Sequence, residues 1–221
     1  MELMEAVLQR HSVRAYDAER KIEPEKAEAL ESRIGEINRE SGLHIQFVRD
    51  EPKAFDGFMA HYGKFSGVTN YFALIGNKSD DLWEKCGYYG EQLVLLSQRL
   101  GLRTCWVAMT FKKVKGAYAV GPGEKLTVVI AVGYGKTEGT AHRSRTPSDV
   151  SKADAAAEWF EKGVACALLA PTAMNQQKFF FEKKGEVVSA SAGSGFYTKL
   201  DLGIAKLHFE IGAGKENFRW A

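Results

Sequence analysis

Two stretches of the chain carry apolar residues at the three- and four-residue spacing that is typical of one helix face. The first begins at Pro24, which suits a first helical turn because its missing N–H costs nothing there. This stretch ends at Gly42, and its apolar positions are Ala27, Leu30, Ile34 and Ile37. The second stretch, 80–100, is stronger, with apolar positions at Leu82, Cys86, Tyr89, Leu93, Leu96 and Leu100. Val94 and Leu95 lie off this stripe, so we predict a helix that is buried on more than one side.

Similar patterns predict three further helices and five strands. The helices cover 2–10, 155–169 and a segment that begins near Asp201 and ends at 212–214. The strands cover 43–48, 71–75, 126–132, 178–181 and 186–190. The run 126–132 is apolar without interruption, which predicts burial on both faces of a sheet. No linker divides the chain, so we expect a single domain over 1–221, with a central sheet covered by helices.

Composition and charge exclude several classes of protein. The 221 residues include 30 Lys and Arg against 28 Asp and Glu, and the formal net charge is +2. With no polybasic block, we expect neither nucleic acid nor an anionic membrane as a partner. No run reaches the roughly 18 apolar residues of a membrane span, and no leader is visible, so we expect a cytoplasmic protein.

The usual catalytic motifs are missing from the sequence. The three cysteines are far apart, which favours reduced thiols in the core, and the five histidines show no metal-ligand spacing. No GxGxxG follows a strand, and neither HExxH nor GxSxG occurs. Redox or transfer chemistry would therefore come from a bound cofactor.

Three segments carry a chemical signal. Residues 10–14 (RHSVR) place two guanidinium groups and a hydroxyl close together, which is enough for an anion site or simply a solvated basic turn. Residues 170–177 (APTAMNQQ) put hydroxyl and amide groups in a loop, where they could face the edge of a pyrimidine ring or satisfy their own backbone. Residues 101–108 (GLRTCWVA) place a Trp beside small residues, either along a planar ligand or in the core.

Taken together, these segments resemble the FMN-dependent nitroreductase family over most of the chain. RHSVR looks like the family's Arg-x-Ser-x-Arg start, and GEQLVLLSQRLGLRTCWVA looks like its dimer-core helix and the turn that follows. LTVVIAVGYG is similar to the family's late strand and its Gly-rich end, and HRSR is similar to the basic loop that follows that strand. APTAMNQQKFFF looks like the family's Ala-Pro-Ser-x-x-Asn-x-Gln-Pro-Trp motif, but it stands far from RHSVR and has Lys178 where that Pro is usual. The chain therefore resembles a rearranged subfamily.

The resemblance implies an α+β fold with a mixed, mostly antiparallel sheet, and a site for FMN. Arg10 and Ser12 would hold the phosphate and ribityl end, Arg143 and Arg145 would close on the phosphate, and Arg14 would sit near flavin N1 and O2. Asn175 and Gln177 would contact the ring or the phosphate, and the backbone of Trp106–Ala108 would approach N5 and O4. The full implied set is Arg10, His11, Ser12, Arg14, Lys64, Trp106, Val107, Ala108, Arg143, Arg145, Pro171, Thr172, Asn175 and Gln177.

The implied activity is a ping-pong transfer of hydride from NAD(P)H, through flavin N5, to an electron-poor acceptor such as a nitroaromatic or a quinone. A homodimer is also implied, and it would bury the apolar stretch Leu93–Leu96. Two alternatives stay open. One is a non-catalytic flavin- or ligand-binding module, and the other is an interaction protein with an empty pocket.

Overall fold

The computed structural model describes all residues, 1–221. The helices are α1 Leu3–Gln9, α2 Pro24–Ser41, α3 Phe58–Tyr62, α4 Leu82–Arg99, α5 Pro147–Val150, α6 Glu158–Ala167 and α7 Thr198–Ala213. The strands are β1 Gln46–Val48, β2 Tyr71–Asn77, β3 Arg103–Val107, β4 Glu124–Gly133, β5 Ser151–Ala153, β6 Phe179–Lys184, β7 Val187–Ala192 and β8 Arg219–Trp220. No helix combines the length and the apolarity needed to cross a bilayer.

The α2 helix follows its sequence pattern closely. Pro24 occupies the first helical turn, and all four residues of the predicted apolar stripe are buried. Gly42 ends the helix at a left-handed φ of 71°, where its N–H donates to the Asn38 carbonyl oxygen at 3.1 Å. Glycine adopts this conformation without the steric cost that a Cβ would bring.

The chain divides into two compact units, each with its own four-stranded sheet. The β1–β4 unit comprises 9–82 and 93–141, and its strands run in the order β1-β2-β4-β3 with every pair antiparallel. The central strand β4 is buried from Leu126 to Gly133, as predicted from the uninterrupted apolar run. Successive side chains of a strand point to opposite faces of the sheet, so this unbroken buried run shows that both faces of β4 are covered.

The β5–β8 unit comprises 1–8, 83–92 and 142–221, and its strands run in the order β5-β6-β7-β8. β6 and β7 form the predicted hairpin, with Lys184 opposite Val187 and Gly185 at a φ of 59°. β5 and β8 each add a short parallel pair at one edge. Strands β5–β8 thus form a second sheet, whereas the sequence predicted a single central sheet. The single domain expected over 1–221 stays a prediction.

Two further expectations need correction. The segment 101–108 was expected to follow its helix as a turn, but Arg103–Val107 is strand β3, because its backbone pairs with β4 from Arg103–Gly133 to Val107–Val129. The stretch Leu93–Leu96 was expected to be buried by a second subunit. Leu93, Val94 and Leu95 are already buried within one chain, so their apolarity gives no reason for a dimer.

Candidate functional site

In the β1–β4 unit, the structure brings the first and third sequence segments together. Ser12 pairs with Thr104 of β3 as a parallel bridge, and the Val13 N–H donates to the Thr104 carbonyl oxygen at 3.0 Å. The 12–16 stretch therefore continues the sheet beyond the edge strand β3. This backbone pairing joins parts of the chain separated by about ninety residues, and only the fold creates it.

The same stretch has Ser66 on its other side. The Ser66 N–H donates to the Arg14 carbonyl oxygen at 3.0 Å, and the Tyr16 N–H donates to the Ser66 carbonyl oxygen at 2.9 Å. Lys64, two residues earlier, has a left-handed φ of 61° and an exposed side chain. Backbone hydrogen bonds thus join three segments of the chain side by side. Seven predicted site residues lie on these segments or directly next to them in the chain: His11, Ser12, Arg14, Lys64, Trp106, Val107 and Ala108.

The side chains of this group differ in exposure. Arg14 is exposed, with its guanidinium carbon 5.9 Å from the centre of the Phe65 ring, whereas Arg10 is only 4% exposed. Burial raises the pKa of the Cys105 thiol, and the positive charges of Arg14 and Arg10 and a hydrogen bond with Ser12 act against that rise. The two cations and the hydroxyl therefore all act on the thiol of one buried residue of β3.

A loop after β4 packs against this group. The Lys136 N–H donates to the Ala15 carbonyl oxygen at 2.9 Å. Gly139, at a φ of 78°, lies so close to His11 that a Cβ on it would stand 2.7 Å from the His11 Cβ. Arg103 of β3 forms an ion pair with Glu138 of the same loop. This loop contact could not be predicted from the sequence, because neither Glu138 nor Gly139 belongs to a recognisable motif.

In the β5–β8 unit, the structure brings the basic loop and the amide-rich loop together. The amide of Gln177 bonds to the backbone of Arg143 and of Arg145, each at 2.8 Å. Asn175 also donates its Nδ2–H to the Arg143 carbonyl oxygen at 2.8 Å. Arg143 and Arg145 are exposed, Asn175 is exposed, and Gln177 is buried. Thr172 accepts the Gln177 N–H at 3.1 Å, and Pro171 is buried beside it in the chain.

A buried carboxylate that no sequence motif singles out holds this loop in place. Asp201 of α7 is only 1% exposed, and its carboxylate accepts the Ala173 N–H at 3.0 Å and the Gln176 Nε2–H at 2.7 Å. Burial raises the pKa of Asp201 to about 6, and these two donors oppose the rise. A single signal was present in the sequence: Asp201 stands between Leu200 and Leu202 in an apolar helix, a place where an acid needs partners.

Comparisons with known proteins identify a matching family and solved structures with a similar fold. Residues 2–213 match the model of a family described as "Putative TM nitroreductase". A crystal structure of a "putative nitroreductase" from Thermotoga maritima is 24% identical, with a TM-score of 0.68 over 96% of this chain and 83% of that one. No curated protein matches the sequence.

Two other solved structures are more distant. A crystal structure of a "Putative NADH dehydrogenase/NAD(P)H nitroreductase" from Bacteroides thetaiotaomicron is 17% identical, with a TM-score of 0.53 over 67% of this chain and 95% of that one. A nitroreductase-type protein from Desulfovibrio desulfuricans, in complex with FMN, is 15% identical, with a TM-score of 0.50 over 68% of this chain and 95% of that one. These likenesses confirm the α+β fold class predicted from the sequence.

Proposed function

The chain belongs to the nitroreductase family whose model its residues 2–213 match, and on that premise we propose that it is an FMN-dependent oxidoreductase. The observation that carries the proposal lies in the β1–β4 unit. There, the Arg10–Arg14 segment, strand β3 and the Lys64–Ser66 segment are joined side by side through their backbones. These are the segments that the family resemblance assigns to the cofactor.

The charges of the chain fit a phosphate. Arg14 and Arg143 are exposed and form no salt bridge with a carboxylate. Arg145 is exposed too, but its charge contributes to lowering the pKa of Asp149. A guanidinium offers a planar fork of donors that matches a phosphate group, and an exposed cation without an acidic partner can serve that purpose. We therefore propose, as the family resemblance implies, that Arg10 and Ser12 hold the phosphate and ribityl end of FMN and that Arg143 and Arg145 bind its phosphate. Arg14 is proposed to lie at the ring instead.

The remaining assigned residues would orient the ring. The backbone of Trp106, Val107 and Ala108 lies at the end of β3, and Lys64 lies beside Phe65. When bound, FMN supplies the redox chemistry, accepting hydride from NAD(P)H and passing two electrons to an electron-poor acceptor such as a nitroaromatic or a quinone. A cation near the pyrimidine edge, the place proposed for Arg14, favours the reduced cofactor because it offsets negative charge there.

Flavin binding is the direct test of the proposal. FMN is titrated into the purified protein while its absorbance and fluorescence are recorded. We expect a saturable change at one or more sites per chain. If saturating FMN leaves both signals unchanged, the chain is not an FMN oxidoreductase and the interaction-protein alternative is favoured.

Turnover separates the enzyme from a binding module. NADH or NADPH oxidation is followed with menadione as acceptor, with both substrates varied. We expect FMN-dependent oxidation with parallel double-reciprocal lines, because donor and acceptor would use the site in turn. Stoichiometric FMN without NAD(P)H oxidation would instead identify a non-catalytic flavin-binding module.

The homodimer is retained as a proposal that rests on the family resemblance alone. Light scattering coupled to size exclusion gives the mass of the protein in solution. A mass near twice the 24.5 kDa of the chain supports the homodimer, and a mass near 24.5 kDa contradicts it.

A further inference from the structure

Gln177 is the most fully engaged polar side chain of the amide-rich loop. It is 1% exposed, and its Oε1 accepts the Arg145 N–H at 2.8 Å. Its Nε2 donates to the Arg143 carbonyl oxygen and to Asn175 Oδ1, both at 2.8 Å. A backbone N–H can only donate and a carbonyl can only accept, so these partners fix the orientation of the amide.

One side chain thus holds the residues on both sides of Ser144. The bond to Arg143 and the bond to Arg145 fix the backbone before and after it. Two further contacts secure the same loop, because Ser144 Oγ donates to the Leu168 carbonyl oxygen at 3.1 Å and His142 Nε2 lies 2.9 Å from that oxygen. The backbone of the loop is therefore fixed, while the guanidinium groups of Arg143 and Arg145 stay exposed.

The backbone of the amide-rich loop is strained where it contacts the basic loop. Met174, Asn175 and Gln177 have left-handed φ values of 50°, 53° and 47°. Left-handed backbone is strained at most non-glycine residues, and it persists where surrounding contacts enforce it. Here the enforcing contacts are those of the Asn175 and Gln177 amides with the basic loop. Strain concentrated in this way points to a positioning role.

We infer that Gln177 is a positioning residue, which orders the Arg143–Arg145 loop so that its two guanidinium groups are preorganised for the phosphate of FMN. The inference rests on the proposed function. It differs from the expectation that Gln177 contacts the flavin, since both ends of its amide are already bonded to the chain. Ordering the loop before the ligand arrives lowers the entropy lost on binding.

Comparing FMN with riboflavin tests the inference, because riboflavin has the same ring but no phosphate. In Gln177→Met the side chain keeps its length and loses its amide. We expect the dissociation constant for FMN to rise about tenfold, and that for riboflavin to stay unchanged. Gln176→Met is the matched control, because the Gln176 amide bonds to Phe196 and Asp201 and not to the basic loop. Gln176→Met should leave the ratio of the dissociation constants for FMN and riboflavin as it is in the wild type.

A second variant covers the case in which Gln177→Met does not fold. Asn175→Gly keeps the left-handed backbone and removes an exposed side chain that also bonds to Arg143. It should weaken FMN binding about threefold and leave riboflavin binding unchanged. When Arg143→Ala and Arg145→Ala are already present together, adding either variant should cause no further loss of FMN affinity, since no cation of this loop is left to position.

The outcomes separate the inference from the proposed function. Equal losses for FMN and riboflavin would show that Gln177 contacts the ring or only supports the fold, and the inference would be wrong while the function stands. An unchanged FMN affinity in both folded variants would also overturn it. If the wild type binds neither flavin, the proposed function fails and the inference fails with it.

Discussion

Gly87 of α4 and Gly203 of α7 contact each other's helix in the same way. A Cβ on Gly87 would lie 2.1 Å from the Leu200 carbonyl oxygen, and one on Gly203 would lie 2.0 Å from the Glu84 carbonyl oxygen. Each oxygen belongs to the residue three positions before the opposite glycine. Reciprocal contacts of this kind are typical of a two-fold interface between subunits, but here one chain supplies both helices.

This crossing predicts that alanine at either glycine destabilises the protein. Alanine in a helix gains about 1 kcal/mol in propensity over glycine, but the clash with a backbone oxygen forces the helices apart. We expect Gly87→Ala and Gly203→Ala each to lower the free energy of unfolding by about 1–3 kcal/mol. In thermal melts this corresponds to about 2–4 °C for each kcal/mol.

Gly35 provides the control for these two variants. It lies inside α2, and the nearest atom to a Cβ there is the end of the Arg39 side chain at 3.5 Å. Gly35→Ala should therefore raise the melting temperature. A drop of the same size in all three variants would show that the close helix crossing is not the cause.

Removal of one exposed arginine tests the phosphate site. Arg143→Ala should weaken FMN binding by about 1.5–3 kcal/mol, the range for a hydrogen bond with a charged group, while the melting temperature changes little. Arg49→Ala is the matched control, because Arg49 is half-exposed and its guanidinium contacts Glu31 and the Phe47 ring, neither of which is assigned to the site. Fluorescence titration with FMN gives both affinities. Equal affinities in the two variants would exclude Arg143 from the site.

Asp201 predicts a pH dependence of stability. Burial raises the pKa of its carboxyl to about 6, so between pH 4 and 6 the folded chain binds this proton more tightly than the unfolded chain does. The contribution of Asp201 to stability is therefore fully present below about pH 4 and falls as the pH rises through about 6.

Asp201→Asn removes this titration and keeps the size of the side chain. We expect the melting temperature of the wild type, relative to the variant, to decrease between pH 4 and 6.5 and to level off above that range. Thermal melts in buffers across the range measure the difference. A constant difference at every pH would mean that the pKa of Asp201 is the same in the folded and the unfolded chain, and the prediction would be wrong.

The three cysteines should be unreactive in the native protein. Cys86, Cys105 and Cys166 are buried and form no disulfide with one another. Burial raises the pKa of Cys166 to about 12 and that of Cys105 above its ordinary value. A thiol reacts as the thiolate, so both burial and the raised pKa slow modification. A colorimetric thiol assay should detect no fast-reacting group in the folded chain and three in denaturant. A fast reaction without denaturant would contradict this.

The sequence by itself determined the elements whose signal is local. The stripe from Ala27 to Ile37, the long helix α4, the apolar strand β4 and the β6–β7 hairpin were all predicted, because each pattern repeats at the period of its element. Pro24 and Gly42 gave the bounds of α2 for the same local reason. The resemblance of the motifs to the nitroreductase family also came from short runs of residues, and the family match confirmed it.

Only the tertiary structure decided which segments meet. Arg103–Val107 is a strand because β4 offers it a partner, and nothing in its own residues required this. The pairing of Ser12 with Thr104 and the contacts of Gln177 with the Arg143–Arg145 loop depend on long-range closure of the chain. A hydrogen bond between distant residues leaves no periodic trace in the sequence, so the sequence suggested which groups could bind a cofactor, but the fold determined which of them hold the others in place.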